Sequence, residues 1–189
     1  MDKTILILDI ETTGFLKAGG SIVEIGIVSL DLDTGEVKPV FNSLLREEIL
    51  TARHRKYPMG WIFKNSNLTI EAVRKAPKAK HVLEEVQIIL DEYPAGCTAF
   101  NNTFDFNFLN DRGITFPKKL NDPMKLSQYI VNAEDKNGRI KWPNVNEAFK
   151  HFFPEIEYDE AHRGLDDALH EAKIVYALYE LGVFTLEEL

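Results

Sequence analysis

Asp9 and Glu11 stand two residues apart at the end of an apolar run, Ile5-Leu6-Ile7-Leu8-Asp9-Ile10-Glu11-Thr12-Thr13-Gly14. Side chains of a strand alternate between faces, so the two carboxylates point the same way. The run before them is apolar on both faces, as in a strand inside a sheet. Two anions side by side at such a place repel each other and are poorly solvated. They call for a cation, and a divalent metal ion with oxygen ligands is the simplest candidate. Two further segments hold groups suited to the same chemistry. Asp105 lies among apolar residues in Asn101-Asn102-Thr103-Phe104-Asp105-Phe106-Asn107-Phe108-Leu109, near a helix start. His162 and Asp167 bracket the opening of the last helix in His162-Arg163-Gly164-Leu165-Asp166-Asp167-Ala168. Residues five apart on a helix are about 140° apart around its axis, so these two cannot share a face if both are helical. Gly164 sets the helix start between them. His162 is then expected on a mobile loop and Asp167 on the rigid helix, which suits a base that swings in beside a fixed metal ligand.

The elements that must hold these groups are legible from periodicity. Residues 4–9 read as a buried strand and 22–30 as a second; a turn at Asp33-Thr34-Gly35 leads to a third over 37–41, giving a meander. Residues 42–68 are irregular in pattern and hold Trp61 and Phe63. A short helix over 69–75 stops before Pro77. A clearer one spans 80–93, with Val82, Val86, Ile89 and Leu90 at helical spacing. Residues 97–100 read as a short strand, about 104–112 as a helix closed by Gly113, and 120–122 as another short strand. Pro123 suits the first turn of a further helix, and Asn144 the cap of one running through Phe149. The strongest helical pattern runs from about 164 to 181, ended by Gly182. Strands first, then helices alternating with short strands, predict an α/β sheet covered by helices.

The 189 residues predict a single domain over 1–189, with 44% hydrophobic and 28% charged residues, ordinary values for a soluble globular protein. No apolar stretch approaches the roughly 20 residues of a membrane span, and the start leaves no room for a signal peptide. The one cysteine, Cys97, cannot form an internal disulfide; a reducing, cytoplasmic setting is expected. The net charge of −8 argues against coating long nucleic acid through a basic surface. It is compatible with holding a short phosphate-bearing end through metal ions.

Each feature alone has an ordinary reading. Asp9 and Glu11 would be a chance strand-end pair, and Asp105 an acid favoured in a first helical turn. Asp166 keeps that reading, as a solvated or dipole-stabilising residue. Cys97 reads as core, and Phe152 and Phe153 as packing under the last helix. Trp61 and Trp142 suit core or lid packing as well as base stacking. The basic runs Arg53-His54-Arg55-Lys56 and Arg74-Lys75 with Lys78 and Lys80 read first as a solvated face.

Taken together, the segments resemble the histidine-bearing DEDDh (DnaQ-like) branch of the 3′–5′ exonucleases, in the ribonuclease H-like superfamily. The resemblance runs through Ile22-Val23-Glu24-Ile25-Gly26, Leu68-Thr69-Ile70-Glu71-Ala72-Val73 with Ala76-Pro77, and Asp122 with Leu126. It ends in Glu160-Ala161-His162-Arg163-Gly164-Leu165-Asp166-Asp167-Ala168 with Glu171-Ala172. It implies a five-stranded mixed sheet flanked by helices. It also implies four metal-binding acids, Asp9, Glu11, Asp105 and Asp167, with His162 as general base. Thr12, Thr13 and Gly14 then lie where the terminal nucleotide binds, Phe15 or Leu16 wedges against its base, and Asn101 and Phe104 border the site. The implied activity is removal of nucleoside 5′-monophosphates from single-stranded DNA or RNA 3′ ends, DNA favoured. Two Mg²⁺ or Mn²⁺ ions roughly 4 Å apart would activate water and stabilise the leaving 3′ oxygen, with Asp9 bridging them. Histidine titrates near neutral pH and can take the water's proton. A homodimer or a polymerase partner is compatible with the family, and no membrane is. The competing reading is a non-cleaving proofreading-type or nucleic-acid-binding module; the intact acid set argues against it. Phe100 departs from the pattern, standing where many members have histidine, and residues 44–67 match poorly.

Overall fold

The computed structural model describes residues 3–47 and 50–187, without the side chains of residues 52 and 53. Strands β1 (Thr4–Thr12), β2 (Ile22–Asp31) and β3 (Val37–Leu44) form an antiparallel meander, and β4 (Cys97–Thr98) adds to β1 in parallel, giving the order β3-β2-β1-β4. β1 therefore lies inside the sheet, where its backbone groups are paired on both sides. Ile5, Leu6, Ile7 and Leu8 are fully buried, each contributing about 1.5–3 kcal/mol through burial.

The two faces of β1 are separated by residue parity. Ile5 and Ile7, with Val28 and Leu30 of β2, pack against α5 (Pro123–Val131), α6 (Val145–Phe152) and α7 (Gly164–Glu180). Leu6 and Leu8, with Ile25 and Ile27, pack against α3 (Ala79–Glu92) and α4 (Asn102–Asp111). Asp9 and Glu11 continue the odd-numbered row, so they face α7. Strand β1 runs three residues further than its sequence pattern suggests and carries both acids inside it rather than at its end.

The helix starts follow local chemistry. Thr69 caps α2 (Ile70–Lys75) by accepting the Ala72 N–H. Asp122 caps α5 through the Met124 N–H, with Pro123 at its first position. Asn144 and Glu147 form a reciprocal capping box on α6. The segment that reads as irregular, 42–68, contains a short helix, α1 (Ile62–Asn65), and a small core of its own in which Ile62, Leu50 and Val23 meet Leu68, Ile70 and Val73.

The sheet has four strands among the described residues, not five. The stretch read as a fifth, 120–122, is reduced to one parallel bridge, Cys97↔Lys119. Prolines at 117 and 123 remove N–H donors on both sides, and Asn121 turns its carbonyl to the Thr98 hydroxyl (2.8 Å) instead of a strand neighbour. β4 stops early for a related reason. The N–H of Phe100 goes to the carboxylate of Glu171 (3.1 Å), and that of Asn101 to Asp122 (3.1 Å). Side-chain acids thus replace a backbone ladder.

Candidate active site

A cavity of about 700 Å³ opens where β1 ends. Asp9, Glu11, Thr12, Thr13, Gly14 and Phe15 supply one wall. Asn101, Phe104 and Asp105 come from the start of α4, Glu160 and His162 from the loop before α7, and Glu171 from α7 itself. Asp167 is buried at the edge of this group. Ligand atoms of Glu11, His162 and Asp167 lie within 4.8 Å of one another, a group that could hold a metal ion. Leu16 does not line this cavity; it lines a neighbouring apolar depression with Phe15, Phe104 and Phe108.

A close helix–strand contact makes the convergence possible. A Cβ on Gly26 would lie 2.1 Å from the carbonyl carbon of Gly164, and one on Gly164 would lie 2.7 Å from the Gly26 nitrogen. Backbone therefore meets backbone where α7 begins, and Asp167 is brought down beside the β1 acids. Glu24 sits next to Glu11 in the β1–β2 register. It is buried, and Arg163 answers its charge with bonds of 2.7 and 2.9 Å, while Gly164 N–H adds a third. Arg163 also reaches Asn67.

Asp167 accepts three hydrogen bonds in the same loop: from the Tyr158 hydroxyl (2.9 Å), the Ala161 N–H (3.2 Å) and the Arg163 N–H (2.7 Å). The last two flank His162, whose backbone is left-handed at φ 52°. The loop expected to be mobile is thus fastened on both sides of the histidine. The imidazole packs edge-on against Trp61, centroids 4.6 Å apart, and its Nδ1 lies 3.7 Å from Glu160.

The acids are in an unfavourable state without a cation. Asp105 accepts the Ile10 N–H (3.1 Å), but Oδ2 of Asp9 is fully covered and accepts no hydrogen bond. Burial, then repulsion from Glu11 and Glu171, holds the Asp9 carboxyl well above the usual carboxylate range. Burial raises Asp105 as well. Burial and then Asp167 push Glu11 up to about 9, and burial raises Asp167 against its three donors. An orphaned buried carboxylate oxygen among several acids fits oxygen-liganded divalent cations.

Several cavity residues went unassigned in the sequence. Tyr57 comes from the poorly matching segment, and Met124 and Val145 from helix starts. Trp142 and Trp61 line the opening and are 54% and 43% exposed. In the sequence Glu171 stands only within the resemblance, with no role assigned; it lies one turn beyond Asp167, the spacing that puts two side chains on one helix face. The ordinary readings hold elsewhere. Asp166 is exposed and pairs with His170, Cys97 is buried, and Phe152 and Phe153 pack against the α7 core. The solvated-face reading of the basic runs holds in part: Arg55 pairs with Glu71 at the surface, but His54 is buried and Arg74 donates to the Leu50 carbonyl; the Arg53 side chain lies outside the described residues.

Comparison with known proteins agrees with this picture. The chain is 24% identical over its whole length to a DNA polymerase III PolC-type protein of Caldanaerobacter subterraneus subsp. tengcongensis, and 26% identical over 92% of its length to that of Clostridium perfringens. It spans only 13% and 11% of those proteins. Its fold matches the nuclease domain of 3′hExo, a DEDDh family member solved with rAMP, with a TM-score of 0.72, 19% identity and coverage of 100% of this chain and 98% of that one. It also matches Escherichia coli exonuclease I solved with a dT13 oligonucleotide, with a TM-score of 0.66, 14% identity and coverage of 93% and 40%. The family model described as Exonuclease (RNase_T) matches residues 6–175, and the chain belongs to that exonuclease family.

Proposed function

We propose that the chain is one domain, a metal-dependent 3′–5′ exonuclease acting on single-stranded ends and releasing nucleoside 5′-monophosphates. The observation that carries this reading is the convergence of three separate segments: Asp9, Glu11, Asp105 and His162 line one cavity, Asp167 lies beside Glu11 and His162, and an orphaned carboxylate oxygen stands among them. Asp9, Glu11, Asp105 and Asp167 would hold two Mg²⁺ or Mn²⁺ ions. Such ions supply, when bound, the positive charge that phosphodiester hydrolysis needs at the attacking water, the phosphate and the leaving 3′ oxygen. His162, in its neutral form, takes the proton of the attacking water. Glu160 lies 3.7 Å from the imidazole Nδ1. Fastening the loop to Asp167 fixes the imidazole beside the acids and limits its swing.

Phe15, 71% exposed and edge-on to Phe104, stands ready to stack on a terminal base. Thr12, Thr13, Gly14 and Asn101 border the space for the last nucleotide. The cavity is lined by Phe15, Tyr57, Trp61, Phe104 and Trp142, rings on which the bases of a single strand can stack. Its PolC-type relatives support DNA as the substrate and a polymerase as the partner, with a second copy of the chain as the alternative. The rAMP-bound neighbour makes RNA the necessary comparison. The test uses 5′-labelled DNA and RNA oligonucleotides with Mg²⁺ or Mn²⁺. A ladder shortening from the 3′ end, abolished by chelator and by Asp9→Ala, is expected; internal cuts, or no cleavage of either strand with either metal, would sink the reading.

A further inference from the structure

A general base works when a third group orients it. The hydrogen bonds that fasten the loop of His162 end on backbone N–H groups, those of Ala161 and Arg163. They fix the path of the main chain and leave the imidazole free to turn about its side-chain bonds. Among the described residues no hydrogen bond holds either ring nitrogen. Glu160, at 3.7 Å from Nδ1, is beyond hydrogen-bond reach. The group that does meet the imidazole is the indole of Trp61, edge-on, with centroids 4.6 Å apart and planes at 69°. Both side chains line the same cavity.

Trp61 suits that task because its own backbone is held. Its N–H donates to the Pro58 carbonyl (3.0 Å), and its carbonyl accepts the N–H groups of Lys64 (3.0 Å) and Asn65 (3.1 Å) and the Asn65 side-chain amide (2.8 Å). The next residue, Ile62, opens α1 and is buried among Val23, Leu50, Leu68, Ile70 and Val73. Val23 precedes Glu24 on β2, and Glu24 binds Arg163, the residue after His162. Arg163 in turn donates to Asn67, two residues beyond α1. The α1 segment and the base loop are thus joined twice, indole on imidazole and guanidinium on amide. The indole does not fill the small core under α1, which Ile62 closes, and it is 43% exposed.

We propose that Trp61 is a positioning residue for the general base. Its indole limits rotation of the His162 imidazole and keeps it turned to Glu11 and Asp167, whose ligand atoms lie within 4.8 Å of it. The assignment rests on the exonuclease reading given above, with His162 as the base. Stacking on a base of the substrate is the other use of an exposed indole beside this cavity, and its kinetic signature differs. A ring that acts through His162 changes the chemical step, whereas a ring that grips the strand changes ground-state binding. The direct packing of indole on imidazole favours the first.

The test compares wild type, Trp61→Ala, Trp61→Phe, His162→Ala and the double variant Trp61→Ala/His162→Ala on a 5′-labelled single strand with Mn²⁺. Trp61→Ala should lower kcat about tenfold or more, short of the ~10²-fold that a 1 Å misplacement can cost, and leave KM within about twofold. Trp61→Phe keeps an aromatic ring and should recover kcat to within about threefold of wild type. In the His162→Ala background the loss from Trp61→Ala should vanish, since no imidazole is left to position. An unchanged kcat, a raised KM alone, or the same loss in both backgrounds would overturn the assignment. A second readout needs no turnover: the His162 imidazole proton signals in NMR, assigned by their absence in His162→Ala. Trp61→Leu removes the indole ring current and should shift those signals; signals that stay in place would overturn the assignment. No cleavage by wild type would sink the exonuclease reading itself, whereas normal cleavage with any of the contrary results removes only the role of Trp61.

Discussion

At the scale of single residues, the site is a set of acids whose folded state favours their protonated forms. Glu11 shows the consequence for pH. Its folded pKa of about 9 lies above its ordinary 4.5, so the fold prefers the neutral carboxyl. Its contribution to stability is complete below pH 4.5, declines as pH rises through the interval to 9, and is lost above it. Asp9, Asp105 and Asp167 shift in the same direction. Bound cations favour the ionised forms, so the rise in melting temperature caused by Mn²⁺ should grow from pH 5 to pH 8.5, against a chelator control. A metal-induced rise that is the same at all pH values would contradict this. His162→Ala should cut the rate by about 10²–10⁴-fold, the usual size of a general base, with Mn²⁺ affinity changed far less than by Asp9→Asn. With the proposed metal role Asp167 would have two tasks, since it also holds the N–H groups on either side of His162. Asp167→Asn should therefore impair both metal binding and the placement of the base.

At the scale of elements, the decisive contact is that of β2 with the start of α7. A methyl group at Gly26 has backbone atoms of Gly164 and Leu165 within 2.3 Å and no flexible side chain to displace. Gly26→Ala should cost about 1–3 kcal/mol or more by overpacking, read by urea denaturation. It should also reduce activity in the surviving folded fraction, because α7 carries Asp167. β1 and β2 were legible as continuous apolar runs buried on both faces, and α3, α5 and α7 because each buries one face and its sequence keeps the helical period. α1 was not legible. Four residues give too little periodicity, and Ile62 is buried among Val23, Leu50, Leu68, Ile70 and Val73, which lie outside the helix. The expected fifth strand failed because its backbone partners were taken by Glu171, Asp122 and the Thr98 hydroxyl, a competition that no local pattern reports.

At the scale of the whole molecule, the charge of −8 sets how a polyanion is met. Lys141, at the cavity wall, is already paired with Glu147. Binding of an oligonucleotide to a non-cleaving variant should thus depend weakly on salt, with a log–log slope of magnitude below about 2, fewer than the contacts of a basic groove; a slope near that of 6–10 phosphate contacts would contradict it. Cys97, buried and pushed up to about 12, should resist thiol reagents in the native protein and react on unfolding. The sequence by itself determined the family and the order of the main elements, and it singled out four acids and a histidine that the fold brings together, because the types and spacing of those residues are local and their joint order is specific. Tertiary structure alone decided that Arg163 compensates Glu24, that Asp167 fastens the loop of His162, and that Trp61, Trp142 and Glu171 line the same cavity as Asp9 and Asp105. Apart from the short reach of Asp167 back to its own loop, each of those facts joins segments far apart in the chain. Such contacts are set by how the helices pack on the sheet, and neither composition nor period encodes them.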